Sequence, residues 1–219
     1  VVGLNNNEYQ IARAQKHTLD AGLAHGCSFI KGDFMNIGQE DATYDAAYAI
    51  EATCHASDRT KCFREIFRVL KPGAVFTGYE WCTTDRYNEH DPNHKAIIKN
   101  IEEGNGLPEL TPVSEVVGAL ENAGFEAVEC RDLCNDERFD TPWHAALSSK
   151  DLSLHSLART TVGRYLTHGM IAVMETLRLA PNGALNVSSI LNLGADALLQ
   201  GGQQEIFSPM IFFYGRKPA

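Results

Sequence analysis

Residues 44–81 read YDAAYAIEATCHASDRTKCFREIFRVLKPGAVFTGYEW, and this stretch decides the fold. Tyr44 to Ile50 are nearly all apolar or small, which predicts a strand covered on both faces. Phe63, Ile66, Phe67 and Leu70 then recur at the i, i+3, i+4, i+7 spacing of a helix over 57–70. Lys71-Pro72-Gly73 stops that helix, and Ala74 to Trp81 is a second strand.

The alternation continues on both sides. Upstream, Val1 to Leu4 reads as the end of a buried strand. Asn5-Asn6-Asn7 caps a helix over 8–21, and Gly22 suits its end. Cys27 to Lys31 is a short strand ending at Gly32-Asp33-Phe34. Downstream, Thr111 and Pro112 are read as the N-cap and first residue of a helix. Val113, Val116, Val117 and Leu120 line its face, and Gly124 ends it. Phe125 to Leu133 is a further strand. A βαβα order of this kind predicts an α/β fold, a doubly wound parallel sheet with helices on both faces.

The pattern changes near Asp140, which divides the chain into units of 1–139 and 140–219. Leu154, Leu157, Val162, Tyr165, Leu166, Met170, Val173, Met174 and Leu177 predict one or two amphipathic helices. Ala180-Pro181-Asn182-Gly183 breaks them, and Ser188 to Leu199 is a further helix. Gly201-Gly202 then precedes a last strand, Phe207 to Tyr214.

Composition narrows the function. The 219 residues are 44% hydrophobic and 21% charged, with a net charge of −9, which disfavours general nucleic-acid binding. No run of about 18 apolar residues predicts a spanning helix, and no secretory signal peptide is read. The chain opens on Val1 in what reads as a strand end, so it is expected to start inside a fold. Six scattered cysteines contain no C-x-x-C pair and are read as free thiols.

In open α/β sheets ligands bind beyond the carboxyl ends of the strands. Three such ends carry polar residues: Asn5-Asn6, Asp33-Phe34, and Glu51 through His55. An amide or acid there suits ribose hydroxyls, an acid after the next strand suits an adenine amino group, and Phe34 offers a ring face. His90 and His94 sit four apart, but Asp91 as N-cap and Pro92 as first helical residue make a helix start the better reading than a metal site. Cys54 beside His55 is not read as a nucleophile and base, because adjacent side chains point apart.

Several segments resemble sterol C-24 methyltransferases. They are Val2 to Gln10, Lys31 to Met35, Tyr48 to Ala56, Val69 to Gly73, Tyr79-Glu80-Trp81, Gly104 to Pro108, and Phe207 to Met210, in the family's order. The resemblance implies a class I methyltransferase, Rossmann-like, with a final antiparallel strand and a helical C-terminal lobe. It implies S-adenosylmethionine as cofactor and a sterol side-chain alkene as methyl acceptor. By position, Asn5, Asn6 and Gln10 fall in the ribose and methionine region, Asp33 and Phe34 at the adenine, and Ala49, Ile50 and Glu51 along the cofactor. Glu51, His55, Tyr79 and Glu80, with Trp81, are the candidates for stabilising positive charge or moving a proton. The family's first strand and glycine-rich loop are expected to lie upstream of Val1. The strand starting there would then lack a neighbour. The resemblance also implies a peripheral position on the cytoplasmic face of the endoplasmic reticulum or a lipid droplet. Methyl transfer from a sulfonium needs no metal, and a homo-oligomer stays open as the assembly. Two other readings stay open: a methyltransferase for another lipid, such as a tocopherol or acyl chain, and an inactive lipid-binding fragment.

Overall fold

The computed structural model describes residues 1–134, 140–148 and 161–219. The first elements are β1 (Val2–Asn5), α1 (Glu8–Asp20), β2 (Ser28–Lys31) and β3 (Tyr44–Ile50). A 3-10 turn (Thr53–His55), α2 (Arg59–Val69), β4 (Leu70–Thr83), α3 (Pro92–Asn105) and α4 (Val113–Ala123) follow. The chain ends with β5 (Glu126–Asp132), α5 (Ala145–Ser148), α6 (Thr161–Thr176), α7 (Ala184–Gln203) and β6 (Phe207–Arg216). Leu154 and Leu157, read above as helical, lie outside the described residues.

The strands form two sheets rather than one continuous one. β1 pairs parallel with β2, and the larger sheet has the order β3-β4-β6-β5. β3 and β4 run parallel, and β6 inserts antiparallel between β4 and β5. The expectation that β3 is covered on both faces is corrected. Ala47 and Ala49 pack on the core, but Tyr48 is 67% and Ile50 60% exposed. Ala47 and Ala49 point toward α2 and α4, whereas Tyr48 and Ile50 point to the opposite face, which is left exposed.

Local chemistry explains the boundaries. Asn7 accepts from the N–H groups of Tyr9 and Gln10 and starts α1. Gly22, at φ 72°, closes it with bonds from Gly22 N–H to Leu19 O and Leu23 N–H to Thr18 O. Asp58 starts α2 by accepting from Lys61 N–H, and Asp91 with Pro92 starts α3 as read above. Thr111 does not cap α4. Pro112 holds that position, because the Thr111 hydroxyl is taken by Arg59. Gly201 and Gly202 precede β6 as expected, but they lie buried inside α7, which runs past the expected helix end at Leu199. Their missing Cβ atoms make room for Ile101, Phe207 and His144.

The core lies between the larger sheet and α2 with α4. Phe63, Phe76 and Phe213 are fully buried there, with ring centroids 5.0–5.8 Å apart. A second apolar cluster joins α3 to α7 and the start of β6 through Ile97, Ile101, Ala197, Ile206 and Phe207. Helices α3 and α7 cross where Gly104 meets Gly194; a Cβ on Gly104 would lie 2.4 Å from Gly194 Cα. Arg68 of α2 holds the β2–β3 connection, donating to Ile37 O, Gln39 O and Asp41 while paired with Glu65. That pairing pulls the Glu65 carboxyl below its ordinary value.

Candidate active site

The carboxyl end of the small sheet brings two predicted groups together. Asn5 Nδ2 donates to Gln10 Oε1 at 2.7 Å, and Asn5 Oδ1 accepts from Asn7 N–H at 2.8 Å. Gly32 N–H donates to Asn5 O, which sets Asp33 beside this turn. Asp33 is exposed, and its Oδ1 accepts from Met35 N–H at 2.8 Å. Asp33 is thus a turn residue that keeps its other oxygen outside that bond. Phe34 differs from its reading: it packs partly against the core and is not a freely presented ring. Asn6 is exposed at the same turn.

The larger sheet presents the second group. Ile50 pairs with Tyr79 in register, and Ala49 pairs with Gly78. Glu51 follows at φ 49°, a conformation an L side chain adopts only at a cost. Its N–H donates to Tyr79 O at 3.1 Å, which fixes the start of the loop over the end of β4. Glu51 and His55 are both exposed, and no hydrogen bond or ion pair joins them among the described residues. Cys54, beside His55, is buried. Burial and the nearby Glu80 charge push its thiol up to about 12, so it is a neutral packing group.

Glu80 departs most from its reading. Alternation along β4 puts Tyr79 and Glu80 on opposite faces. Tyr79 packs against Phe212, with centroids 5.9 Å apart. Glu80 is 0% exposed. The Thr53 hydroxyl donates to Glu80 Oε1, and Arg59 Nε lies 4.0 Å from the same oxygen. Burial raises the Glu80 pKa, and the Arg59 charge and the Thr53 bond pull against it. Thr53, Arg59 and Thr111 were not singled out from sequence. Arg59 lies just after a helix cap, where a solvated side chain is the ordinary expectation. Trp81 packs against Phe207, with centroids 5.3 Å apart, and belongs to the second apolar cluster.

Beyond Thr83 the end of β4 opens on a cleft of about 1250 Å³, lined by Tyr87, Ile98, Glu102, Leu107 and Thr111 among others. His94, at the start of α3, accepts Asn88 N–H on Nδ1 at 3.1 Å. The described residues of α6 and α7 carry a broad exposed apolar face: Val162, Leu166, Met170, Val173, Ile190 and Leu191.

The order of these strands, with polar groups gathered at their carboxyl ends, is that of the class I methyltransferases. Geranyl diphosphate C-methyltransferase from Streptomyces coelicolor, solved with S-adenosyl-L-homocysteine, superposes with a TM-score of 0.66 at 13% identity, covering 99% of this chain and 61% of that one. Residues 1–77 match the methyltransferase domain model, and residues 154–219 match the sterol methyltransferase C-terminal model. Along its whole length the chain is similar to sterol 24-C-methyltransferases, and it spans less than two thirds of the length of the relatives it matches. It is 47% identical over 218 residues to cycloartenol-C-24-methyltransferase 1 of Oryza sativa, covering all of this chain and 63% of that protein. It is 42% identical over 225 residues to sterol 24-C-methyltransferase ERG6 of Saccharomyces cerevisiae, of which it spans 58%.

Proposed function

We propose that the complete protein transfers a methyl group from S-adenosylmethionine to C-24 of a sterol side-chain double bond. The observation that carries this reading is the polar set at the carboxyl ends of the strands in each sheet: Asn5, Gln10 and Asp33 at the end of the small sheet, and Glu51 bonded to Tyr79 O at the end of the larger one. Asp33 is exposed and keeps one carboxylate oxygen outside its turn bond, open to a hydrogen-bond donor of a ligand. When bound, S-adenosylmethionine supplies an electrophilic methyl on a sulfonium.

The residues of this chain then have assigned roles. Asn5, Asn6 and Gln10 hold the ribose and methionine part, and Asp33 accepts from the adenine amino group. Phe34 lends one edge of the pocket, and Ala49 and Ile50 run along the cofactor. The sterol alkene gives its electron pair to the methyl carbon as the carbon–sulfur bond breaks, which leaves a cation at C-25. A hydride shift from C-24 and loss of one proton complete the reaction. Glu51 and Glu80 favour that positive charge. A carboxylate about 4 Å from a cation at an effective dielectric near 20 contributes roughly 4 kcal/mol. His55, exposed and one turn further on, accepts the proton directly or through water.

The exposed apolar face of α6 and α7 supports a lipid substrate. We assign it to covering the sterol nucleus and to resting on the membrane that supplies it. Among the described residues no helix is long and apolar enough to cross a membrane. From the apolar face and the lipid substrate we place the site of action at the cytoplasmic face of the endoplasmic reticulum or a lipid droplet, held peripherally. Exchanging residues 162–205 with those of a relative that prefers another sterol tests the assignment. Substrate preference is expected to move with the segment, and unchanged preference rejects it.

A further inference from the structure

Three segments close on Glu80. Thr53 comes from the turn after β3, Arg59 from the first turn of α2, and Thr111 from the approach to α4. Thr53 bonds to Glu80 Oε1, Arg59 lies against that same oxygen, and Arg59 Nη1 donates to Thr111 Oγ1 at 2.5 Å. Glu80 Oε2 and Arg59 Nε are buried without a hydrogen-bond partner among the described residues. A carboxylate so enclosed persists only when it is paired.

The other titratable groups facing Glu80 are thiols. They are Cys54 of the turn, Cys62 of α2, Cys82 of β4 and Cys130 of β5. Burial pushes Cys54 and Cys62 up to about 12, Cys130 up to about 11, and Cys82 higher still. All four are therefore neutral at working pH. Among the described residues, Arg59 is the one cation set against Glu80.

We propose that Arg59 is a positioning residue for methyl transfer. It sets its charge 4.0 Å from Glu80 Oε1 beside the Thr53 bond, links the start of α2 to the approach to α4 through Thr111, and keeps the enclosed carboxyl ionised so that its charge acts through the intervening protein on positive charge in the bound reactants. This rests on the function proposed above.

The test is the pH dependence of kcat in the complete protein for Arg59→Met and Arg59→Lys, with the Glu80 carboxyl followed by infrared spectroscopy. Arg59→Met is expected to move the acidic limb of kcat and the carboxyl titration upward together, by about one pH unit or more. At neutral pH its kcat falls about tenfold, while the sterol KM holds. Arg59→Lys keeps the charge without the planar fork and moves both less. Unmoved titration, or a loss of kcat equal at every pH, overturns the proposal. If Arg59→Met does not fold, Thr111→Val removes the second anchor and is expected to shift both measurements in the same direction. An unmoved limb there overturns the proposal equally. The infrared titration needs no turnover. A shifted carboxyl in a protein that methylates no sterol would leave Arg59's hold on Glu80 standing and reject the proposed reaction instead.

Discussion

The β1–α1–β2 unit and the β3–β6 sheet treat their polar groups in opposite ways. In the first, α1 buries no residue, and Asn5, Gln10 and Asp33 bond to one another or to their own turns at the surface. In the second, Glu80 is shut away with one oxygen unclaimed. Surface turn residues keep spare hydrogen-bonding capacity at little cost. A buried carboxyl with spare capacity destabilises the fold, and the packed rings of Phe63, Phe76 and Phe213 have to offset that. Substitutions in the first unit are therefore expected to alter ligand affinity, and those in the second to alter stability and chemistry.

The largest effect is expected at Gly78, between β3 and the core. A Cβ there would lie 2.2 Å from Ala49 O and 2.6 Å from the Phe213 ring. Gly78→Ala should cost about 3 kcal/mol or more in urea unfolding. Gly22→Ala, at φ 72° with nothing within 4 Å, should cost only about 1–2 kcal/mol. Equal costs would erase the contrast between the two regions.

Next come Glu51 and His55, at the mouth of the larger sheet. Glu51→Gln keeps the shape and should lower kcat about 10²-fold or more with little change in sterol KM. His55→Ala should slow turnover comparably or release altered alkene products. Normal turnover in both variants would move the charge-stabilising role to Glu80 alone.

Asp33 sharpens the other side of the comparison. Asp33→Ala should weaken S-adenosylmethionine binding by about tenfold or more, the loss of a charge-assisted hydrogen bond. Asp33→Asn retains an acceptor for Met35 N–H, so its fold should be indistinguishable from the parent's while its affinity still drops. Calorimetry and thermal melts on the two variants separate the turn role from the binding role.

The smallest effect is electrostatic. Burial raises the Glu80 pKa above its ordinary 4.5, so the folded protein holds that proton more tightly than the unfolded chain. The associated stability is full below the unfolded value and is lost as pH rises through the folded one. Glu80→Gln removes that slope. Its Tm relative to the parent should climb with pH across this window, and a difference that stays flat or falls would show that Arg59 outweighs burial.

Much of this was legible in the sequence. Tyr44–Ile50 has the predicted bounds, and the cap pairs at Asn7, Asp91 and Gly124 act where local chemistry puts them. Such features depend on neighbours within a few residues. What was not legible depends on distant partners. Gly201-Gly202 falls beyond the expected helix end at Leu199, and only the fold shows Ile101, Phe207 and His144 filling the space their side chains would take. Thr111 reads as a cap until Arg59, 52 residues away, claims its hydroxyl. Glu80 reads like any acid at a strand end, because nothing local says which face it takes. Tyr48 and Ile50 look like core residues by composition, and only the fold shows that they point away from the face packed on α2 and α4.

The central claim is methyl transfer to a sterol side chain at these strand ends. Incubating the complete protein with isotopically labelled S-adenosylmethionine and a panel of sterols, with and without a C-24 double bond, tests it most directly. Mass analysis should find the label as an added methyl-derived carbon on the side chain of sterols with the double bond and on none without it, with the yield cut sharply by Glu51→Gln. Label on a tocopherol or acyl chain in parallel reactions, or on no lipid while the protein binds the cofactor, would contradict the account.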